Sequence, residues 1–521
     1  MRFRKMYVAA LDLGTSGCRT MIFDVAGSVV SSHYEEWESF YPSPVMVEQS
    51  ADQWFEKLKI TIKNAIQKGG IDSQEIVSIS ITNQRETIVP IDETGKALHN
   101  AIVWQDRRST QECEIIKQKV GADKIYEITG LTIDPYFSGS KILWFKLNKP
   151  EIYNKTHKFL LVHDYILYKL TGQFYTDFSN ASRTMLFDIN TLKWSDEIAS
   201  LLEIDLDKMP TPAESGVDIG EVTSKNTDFD KKTLVVTGAG DQQAAALGVG
   251  VVEPGRIKCT TGTGSFILAF LEEPQYDPQK RVLCSCHAVP GAWVQEASIF
   301  STGSALRWAR DIVGYEEREK TENGKDPYDL MTELAGEIPV GANGLMFIPH
   351  LAGAGAPYWN PYARGILFGL TLAHTRAEIY RAILEGVAFE VKKNINVFNE
   401  LNFKPKELRV TGGGARSKLW NQIMSDVLGI PTFKPELEEA TALGAAVLAA
   451  AGAGIFPDVG KAADNICKIS EKHYSNQENN LKYEAIFEFY QTLYDNINDS
   501  NLYRKFFDLK LYEEKKSEDE S

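Results

Sequence analysis

The alternation of apolar and polar positions predicts a strand-rich start to the chain. Three short strands are expected in "YVAALDLG", which is apolar up to Asp12, and in "CRTMIFD" and "SVVSSHYEE". A helix is expected from Ser50, whose hydroxyl can cap it while Gln53 reaches back, to the Gly69-Gly70 pair. "IVSISITN" follows this helix and has the composition of a buried strand.

The second half of the chain repeats this order. "GRIKCTTGTGSFILAFLEE" predicts a strand, a glycine turn and a second strand, and a long helix is expected from about Thr375. The strand "ELRVTGGGA" comes next, and helices are expected at about 417–428 and 441–452. The same order in both halves predicts an internal duplication of one α/β unit.

The length and composition are those of a globular protein with two large domains. The 521 residues exceed one typical core, and 43% of them are hydrophobic and 24% charged. We place the boundary in "VVEPGR", which predicts an N-terminal domain of residues 1–252 and a C-terminal domain of residues 253–505. Residues 506–521 end in "EEKKSEDES", and this charged tail is expected to be disordered because it has little to bury.

The charge balance and the cysteines narrow the choice of partners and compartment. A formal net charge of -15 argues against nucleic acid or an anionic membrane as a main partner. No apolar run reaches the ~18 residues that a membrane span needs, and the basic start of the chain lacks the apolar segment of a signal peptide. The six cysteines are scattered, and "CSCH" lacks the second cysteine pair of a typical metal site. The cytoplasm is the expected location.

The segment "ITNQRETIVP" places Arg85 and Glu86 together at the end of a predicted strand. One interpretation is an exposed ion pair, which is common and contributes little to stability. The other is a clamp for a molecule with hydroxyl groups, because an alcohol both donates and accepts hydrogen bonds.

Three glycine-rich turns at predicted strand ends are candidate phosphate-binding loops. They are "DLGTSG" at residues 12–17, "TTGTGS" at 260–265 and "TGGGA" at 411–415. Glycine lets backbone N–H groups converge on an anion, and Thr or Ser adds a hydroxyl donor. Asp12 could hold a magnesium ion through water, or it could be an aspartate that caps a turn.

Taken together, the motifs resemble the FGGY family of carbohydrate kinases, and much of the first half is similar to its glycerol kinases. The resemblance rests on "DLGTSGCRT", "ITNQRET", "NAIVWQDRRS", "GLTIDPYFSGSK", "TDFSNASRTMLFDINTLKW", "GAGDQQAAALG", "TTGTGSF", "GAPYWNPYARG" and "TALGAA". It implies an α/β fold of two duplicated actin-like, hexokinase-like (ribonuclease H-like) ATPase domains with a cleft between them. It also implies ATP and Mg2+ as cofactors and a small polyol or sugar as the substrate.

The resemblance also implies roles for individual residues. Asp241 in "GAGDQQ" matches the catalytic base, although the residues alone also allow an aspartate that caps the following helix. The aromatic members of the substrate set could equally be core residues. The substrate-binding set comprises Arg85, Glu86, Trp104, Tyr136, Asp241, Gln242 and Phe266. The nucleotide-binding set comprises Thr15, Ser16, Arg19, Thr263, Gly303, Gly413 and Ser417, and Asp12 is the implied metal ligand.

Departures from the glycerol kinase pattern leave the substrate open. The first turn reads Thr15-Ser16-Gly17-Cys18 where glycerol kinases usually have Thr-Thr-Ser-Ser, and several segments of the second half are similar to xylulokinases. The leading hypothesis is an ATP-dependent kinase that converts glycerol to glycerol 3-phosphate. The alternatives are a xylulokinase or another pentulose or polyol kinase, and a catalytically inactive actin-like nucleotide-binding protein. A homo-oligomer is possible.

Overall fold

The computed structural model describes residues 5–320 and 326–509, and these form two compact units. Unit 1 comprises the described residues up to Lys258 together with Leu268–Glu296 and Pro435–Ser470. Unit 2 comprises Cys259–Ile267, Ala297–Lys434 and the described residues from Glu471 onwards. Residues 510–521 of the predicted tail lie outside the described residues. Its first residues, 506–508, were expected to be disordered but belong to the helix Leu502–Asp508.

Strands dominate the start of the chain, where the sequence predicted them. The strands that end before Lys258 are β1 Tyr7–Leu13, β2 Gly17–Asp24, β3 Val29–Glu36, β4 Glu48–Gln49, β5 Ile76–Asn83, β6 Ile88–Ile91, β7 Ala101–Ile102, β8 Lys158–Leu161, β9 Tyr175–Asp177, β10 Phe187–Asp188, β11 Lys193–Trp194, β12 Thr211–Ala213, β13 Asp218–Glu221 and β14 Leu234–Gly240.

The helices of the same stretch connect and cover these strands. They are α1 Ala51–Gly69, α2 Thr110–Lys119, α3 Ala122–Thr129, α4 Ser138–Asn148, α5 Pro150–Lys155, α6 Val162–Thr171, α7 Phe178–Ala181, α8 Asp196–Leu202 and α9 Asp241–Gly248. Ser50 caps α1 by accepting a hydrogen bond from the Gln53 N–H, as predicted. The Gln53 side chain does not complete a capping box, because it accepts a hydrogen bond from the Glu38 N–H instead.

The rest of the chain alternates strands with longer helices. Its strands are β15 Arg256–Thr261, β16 Ser265–Leu271, β17 Leu283–Cys286, β18 Trp293–Ile299, β19 Met346–Ile348, β20 Ile366–Phe368, β21 Glu407–Thr411, β22 Thr432–Pro435 and β23 Ile469–His473. Its helices are α10 Gly303–Val313, α11 Tyr315–Lys320, α12 Pro327–Gly336, α13 Arg376–Glu400, α14 Lys418–Leu428, α15 Ala440–Gly452, α16 Val459–Ile466, α17 Gln477–Asp499 and α18 Leu502–Asp508. Thr375 and Glu378 form a complete capping box at the start of the long helix α13.

Unit 1 is built on a six-stranded sheet of order β13-β14-β5-β1-β2-β3. Strand β5 lies parallel to both β1 and β14, whereas β2, β3 and β13 are antiparallel to their neighbours. Alternate residues of β1 face opposite sides of the sheet, and both sides are apolar. One side packs with α1 and α6, and the other with α9 and α15. The core of unit 1 therefore lies on both faces of this sheet.

Helix α15 explains why the compact units differ from the predicted division at residues 252 and 253. This alanine-rich helix packs against α9 and against β1, β5 and β14 of unit 1. A Cβ on Gly444 would lie 1.9 Å from the Ala244 carbonyl oxygen, and one on Gly248 would lie 1.9 Å from that of Ala440. The two backbones can approach this closely only because small residues occupy the contact. Residues 435–470 therefore group with unit 1, although they lie in the second half of the chain.

A seven-stranded sheet of order β17-β18-β16-β15-β21-β22-β23 is built from the second half of the chain. Within it, the order β22-β21-β15-β16-β18 repeats the order β14-β5-β1-β2-β3 of the first sheet. Strands β21 and β22 are parallel, like their counterparts β5 and β14. The repeated strand order agrees with the internal duplication inferred from the sequence.

In unit 2, α13 is the central helix and contacts α10, α12, α14 and β19. Most of its residues are buried, including the charged Glu385 and Glu390. Among the helices of residues 5–320 and 326–509, none combines the length and the apolar character that crossing a membrane requires.

Candidate functional site

Three parallel neighbouring strands of unit 1 bring the predicted site residues to one edge of the sheet. Asp12 of β1 pairs in register with Thr82 of β5, and Gly240 of β14 pairs with Asn83. Because β1, β5 and β14 are parallel and adjacent, the turns that follow them leave the same edge. These turns carry the first glycine-rich loop, the "QRE" segment and Asp241.

Arg85 and Glu86 are buried, with 3% and 1% of their surface exposed, so the alternative of an exposed ion pair is wrong. Arg85 forms two parallel hydrogen bonds of 2.8 Å with the carboxylate of Glu296, and a third of 3.2 Å with the side-chain oxygen of Gln243. Its Nε lies 3.8 Å from Glu86, so the neighbour in sequence is not its closest charge partner.

Arg183 completes a closed set of alternating charges, which we call the charge ring: Arg85, Glu296, Arg183 and Glu86. Arg183 Nε donates to Glu86 Oε1 at 2.6 Å, and Arg183 Nη1 donates to Glu296 Oε2 at 3.2 Å. Burial alone would raise the pKa of Glu296, but the charges of Arg183 and Arg85 outweigh it and hold the pKa at about 2. The backbone of Glu86 has a φ of +63°, a strained conformation for a residue with a side chain.

Asp241 is the first residue of α9 and lies next to this ring. Its Oδ1 accepts a hydrogen bond of 2.7 Å from the Gln242 N–H and lies 3.4 Å from Arg85 Nε. About a third of its side chain, 34%, remains exposed. Burial raises the pKa of Asp241, and the charges of Arg85 and Lys258 oppose this shift. Asp241 is therefore not the helix cap that the alternative expected, because Gly240 occupies the N-cap position and no side chain caps α9. Its partly exposed carboxylate lies beside a guanidinium instead.

The small residues that precede Asp241 are required by close packing. A Cβ on Gly238 would lie 1.5 Å from the Ile81 carbonyl oxygen of the neighbouring strand. A Cβ on Gly240 would lie 2.6 Å from the Cγ and Cδ atoms of Arg85. The segment "TGAGD" therefore lets β14 and the Arg85 side chain occupy adjacent positions.

Two predicted aromatic residues, Trp104 and Tyr136, contact each other edge to face at a centroid distance of 5.6 Å. Both are partly exposed, so neither is a plain core residue. The indole N–H of Trp104 donates to Thr15 Oγ1 at 3.0 Å, which ties the predicted substrate wall to the first glycine-rich turn. The buried ammonium of Lys141 donates to the carbonyl oxygens of Pro135 and Tyr136 at 2.8 and 2.6 Å.

Asp12 and Arg19 lie opposite each other on β1 and β2. Burial and the nearby Asp241 charge raise the pKa of Asp12 to about 7, while Arg19 lowers it. The repelling carboxylates of Asp12 and Asp241 fit the needs of Mg2+. This ion binds one or two carboxylates and keeps water or phosphate oxygens as its other ligands. Among the described residues, no group of three or more His, Cys, Asp or Glu side chains forms a metal site, so such an ion would depend on those other ligands. Arg19 also forms an ion pair of 3.2 Å with Glu439.

Four predicted nucleotide-binding residues, Thr263, Gly303, Gly413 and Ser417, line one cavity of about 350 Å³ in unit 2. A Cβ on Gly303 would lie 2.3 Å from the Gly262 carbonyl oxygen, whereas one on Gly413 would meet open space. Ser417 also caps α14 by accepting a hydrogen bond from a backbone N–H.

The other predicted site residues lie elsewhere in the two units. Thr15 and Ser16 are in the turn between β1 and β2 of unit 1. Phe266 is partly exposed on β16 in unit 2, and it is not among the residues that line the cavity.

Three charged residues of the site were missed by sequence reasoning: Arg183, Glu296 and Lys258. Lys258 on β15 donates to the side-chain oxygen of Gln242 at 2.6 Å, next to the proposed base. Lys258 lies between Ile257 and Cys259 in β15, and Glu296 precedes Ala297 in β18. A charge buried in such a strand needs a partner. A charged residue in such a strand could therefore have been recognised as part of a buried ion pair. The sequence does not show which residue it pairs with.

Two family models match this chain. The N-terminal domain of the FGGY family of carbohydrate kinases matches residues 7–248, and the C-terminal domain of the same family matches residues 257–453. The chain belongs to the FGGY family of carbohydrate kinases. Members of this family are phosphotransferases with an alcohol acceptor and use ATP with Mg2+.

Individual relatives of this FGGY kinase agree in length and fold. It is 39% identical over 463 residues to "Glycerol kinase 2" of Thermotoga maritima, covering 87% of this chain and 91% of that protein. The structure of Plasmodium falciparum glycerol kinase with ADP is similar with a TM-score of 0.85 and 27% identity, covering 95% and 99% of the two chains. The structure of ligand-bound xylulose kinase from Lactobacillus acidophilus has a TM-score of 0.87 and 25% identity, covering 96% and 100%. The actin-like ATPase fold expected from the sequence is confirmed.

Proposed function

We propose that this FGGY kinase transfers the γ-phosphoryl group of ATP to a hydroxyl group of glycerol and forms glycerol 3-phosphate. The observation that carries the proposal is the position of Asp241, half-buried at the start of α9 with its carboxylate 3.4 Å from Arg85 Nε. A carboxylate that can accept a proton beside a guanidinium that can donate a hydrogen bond suits an alcohol acceptor.

In the proposed reaction, Asp241 accepts the proton of the acceptor hydroxyl as its oxygen attacks the γ-phosphorus. The new bond joins that oxygen to phosphorus, the bond to the β,γ-bridging oxygen breaks, and ADP leaves. Burial raises the pKa of Asp241 toward the working pH, which favours proton transfer to a general base. Because phosphoryl transfer needs little covalent help, positioning and charge compensation supply most of the catalysis.

The remaining residues have proposed roles in binding. Arg85, Glu86, Gln242, Trp104 and Tyr136 bind and enclose the acceptor. Phe266 keeps the acceptor-binding role that the resemblance implies. Thr15, Ser16, Arg19, Thr263, Gly303, Gly413 and Ser417 contact the nucleotide. Asp12 would hold Mg2+, which when bound compensates the charge of the ATP phosphates.

Several features support glycerol over a larger acceptor. The relative with 39% identity carries the name glycerol kinase. The motifs that contain the predicted acceptor residues resemble those of glycerol kinases. A ketose would bring a carbonyl and further hydroxyls that Trp104 cannot satisfy, because its indole N–H already donates to Thr15 Oγ1. Unpaired buried polar groups reduce affinity. We also propose that the enzyme works in the cytoplasm, where ATP is available.

A coupled assay of ADP release tests the proposal with the full chain, ATP and Mg2+. We expect kcat/KM for glycerol to exceed that for xylulose, ribulose and erythritol. If a ketose or a longer polyol has the highest kcat/KM, the glycerol assignment is wrong and only the kinase class remains. If no acceptor stimulates ADP release, the protein is an inactive nucleotide-binding relative.

A further inference from the structure

Glu296 and Arg183 lie outside the expected substrate set, yet they contact two of its members directly. Glu296 binds both nitrogens of the Arg85 fork, and Arg183 binds the carboxylate of Glu86. Arg183 and Glu296 each have only 1% of their surface exposed. Neither side chain is therefore available to solvent, and both carboxylate oxygens of Glu296 and two nitrogens of Arg183 bind within the charge ring.

The geometry of the ring restricts Arg85 to one orientation. Because Nη1 and Nη2 are both held by Glu296, the guanidinium plane cannot rotate without breaking two charge-assisted hydrogen bonds. The Nε atom is consequently held on the side of Asp241, 3.4 Å from its carboxylate. Close packing against Gly240 further restricts the aliphatic part of the same side chain.

Arg183 has the same effect on Glu86. Its Nε donates to Glu86 Oε1, and its Nη1 donates to Glu296 Oε2, so one guanidinium bridges the two carboxylates. It also lies over the rings of Phe137 and Tyr136, at 5.1 and 5.8 Å from their centroids. Arg183 thereby links the carboxylate of Glu86 to the aromatic wall.

We propose that Glu296 and Arg183 are positioning residues that hold Arg85 and Glu86 in the orientation in which they bind a neutral polyol. This inference rests on the proposed function. Neither residue touches the acceptor; each acts through the residue that it holds. Removing either should therefore weaken binding of the acceptor much more than binding of ATP.

The balance of charges in the ring also favours a neutral acceptor over a negatively charged one. Within the charge ring, the two guanidinium groups of Arg85 and Arg183 are matched by the two carboxylates of Glu86 and Glu296. An acceptor with its own carboxylate would add an uncompensated negative charge to this buried set. Glu296 thus also discriminates against a sugar acid, because it neutralises both arginines.

The test compares full-length wild type with Glu296→Gln, which keeps the shape of the side chain and removes its charge. We expect kcat/KM for glycerol to fall about tenfold or more. The loss should be mainly in KM for glycerol, and KM for ATP should change little. The ratio of kcat/KM for glycerate to that for glycerol should rise, because the variant site gains net positive charge.

Arg183→Lys provides a second variant that retains the charge but loses the two-pronged contact with Glu86 and Glu296. It should also raise KM for glycerol selectively, and it keeps the inference testable if Glu296→Gln fails to fold. Glu385→Gln is the matched control, because Glu385 is a buried carboxylate that accepts a hydrogen bond of 2.7 Å from Arg381 in unit 2. It should lower stability without a selective change in the constants for glycerol.

The outcomes separate the inference from the proposed function. If folded Glu296→Gln and Arg183→Lys both retain the wild-type KM for glycerol and the wild-type glycerate ratio, the positioning role is wrong while the kinase assignment stands. An equal loss for glycerol and ATP would indicate a purely structural role and would also overturn it. If the wild type phosphorylates no polyol at all, the proposed function itself fails.

Discussion

The hydroxyl of Ser179 accepts a hydrogen bond of 3.0 Å from the backbone N–H of Gly240, the residue that precedes Asp241. Ser179 is buried and in turn donates to Asp177, which caps the short helix α7. The N–H of Gly238, two residues before Gly240 in β14, donates a hydrogen bond of 2.9 Å to His163 Nε2. Buried side chains therefore hold the end of β14, and with it the start of α9.

Ser179→Ala should lower stability and activity together. The change leaves the buried Gly240 N–H without its partner, which costs about 1–3 kcal/mol. We expect a lower melting temperature and a moderately lower kcat, because Asp241 loses the anchor one residue away. Ser425→Ala, in unit 2, removes a buried serine that bonds the Ile430 carbonyl oxygen and serves as the control. Equal kcat values for the two variants would show that the Ser179 contact does not position Asp241.

Asp241→Asn should remove the proton acceptor while leaving the fold intact. The amide oxygen can still accept the hydrogen bond from the Gln242 N–H, so α9 should start at the same residue. We expect kcat to fall by the ~10²–10⁴ that is typical of a lost general base. Steady-state kinetics with glycerol and a binding assay with ADP would check both parts. Turnover above about a tenth of the wild-type value would assign the base to another residue.

Gly303→Ala should impair the cavity of unit 2. Its new Cβ would lie 2.3 Å from the Gly262 carbonyl oxygen, so the turn that contains Thr263 would have to shift. We expect a raised KM for ATP and a lower melting temperature. Gly413→Ala is the matched control, because a Cβ at that position of the same cavity meets no atom within 4 Å. Similar melting temperatures for the two variants would contradict the packing argument.

His287 should make the stability of the protein depend on pH. Burial lowers the pKa of His287 to about 4, although its Nε2–H donates to the Val251 carbonyl oxygen. The unfolded chain binds a proton at His287 below about pH 6.5 and the folded protein does not, so stability is lost as the pH falls from about 6.5 to 4.

The contribution of His287 to the pH dependence of the free energy of unfolding can be measured by comparing the wild type with His287→Gln. The shift of the His287 pKa corresponds to roughly 3 kcal/mol across that pH range. Urea unfolding at several pH values should show a steeper loss of stability for the wild type than for the variant. Parallel curves for the two proteins would show that His287 does not contribute.

Local patterns along the chain determined much of the fold. The helix that starts after Thr375 was predicted from its apolar spacing, and its first turn contains Glu378 in the capping box that "TRAE" permits. Strands β1, β2, β3 and β5 were likewise predicted, because short apolar runs bounded by turn residues are local features of the sequence. The duplication was visible for the same reason, since it repeats a local order.

The site was predicted in part. Family motifs led to Arg85, Glu86 and Asp241, and the structure brings these three together at the ends of adjacent parallel strands. The sequence alone left Arg85 and Glu86 open to interpretation as an exposed ion pair, because exposure is a property of the tertiary structure. The grouping of residues 435–470 with unit 1 was not foreseen either, since only packing against α9 shows it.

The choice of charge partners was decided by tertiary structure alone. Arg85 is separated from Glu296 by 211 positions, and Arg183 is separated from Glu86 by 97. No local pattern links residues so far apart, because their contact depends on how the strands and loops of unit 1 pack. The sequence does require that a charge buried in an apolar strand be paired, since an unpaired buried charge is strongly unfavourable. Only the folded chain selects which guanidinium each carboxylate binds.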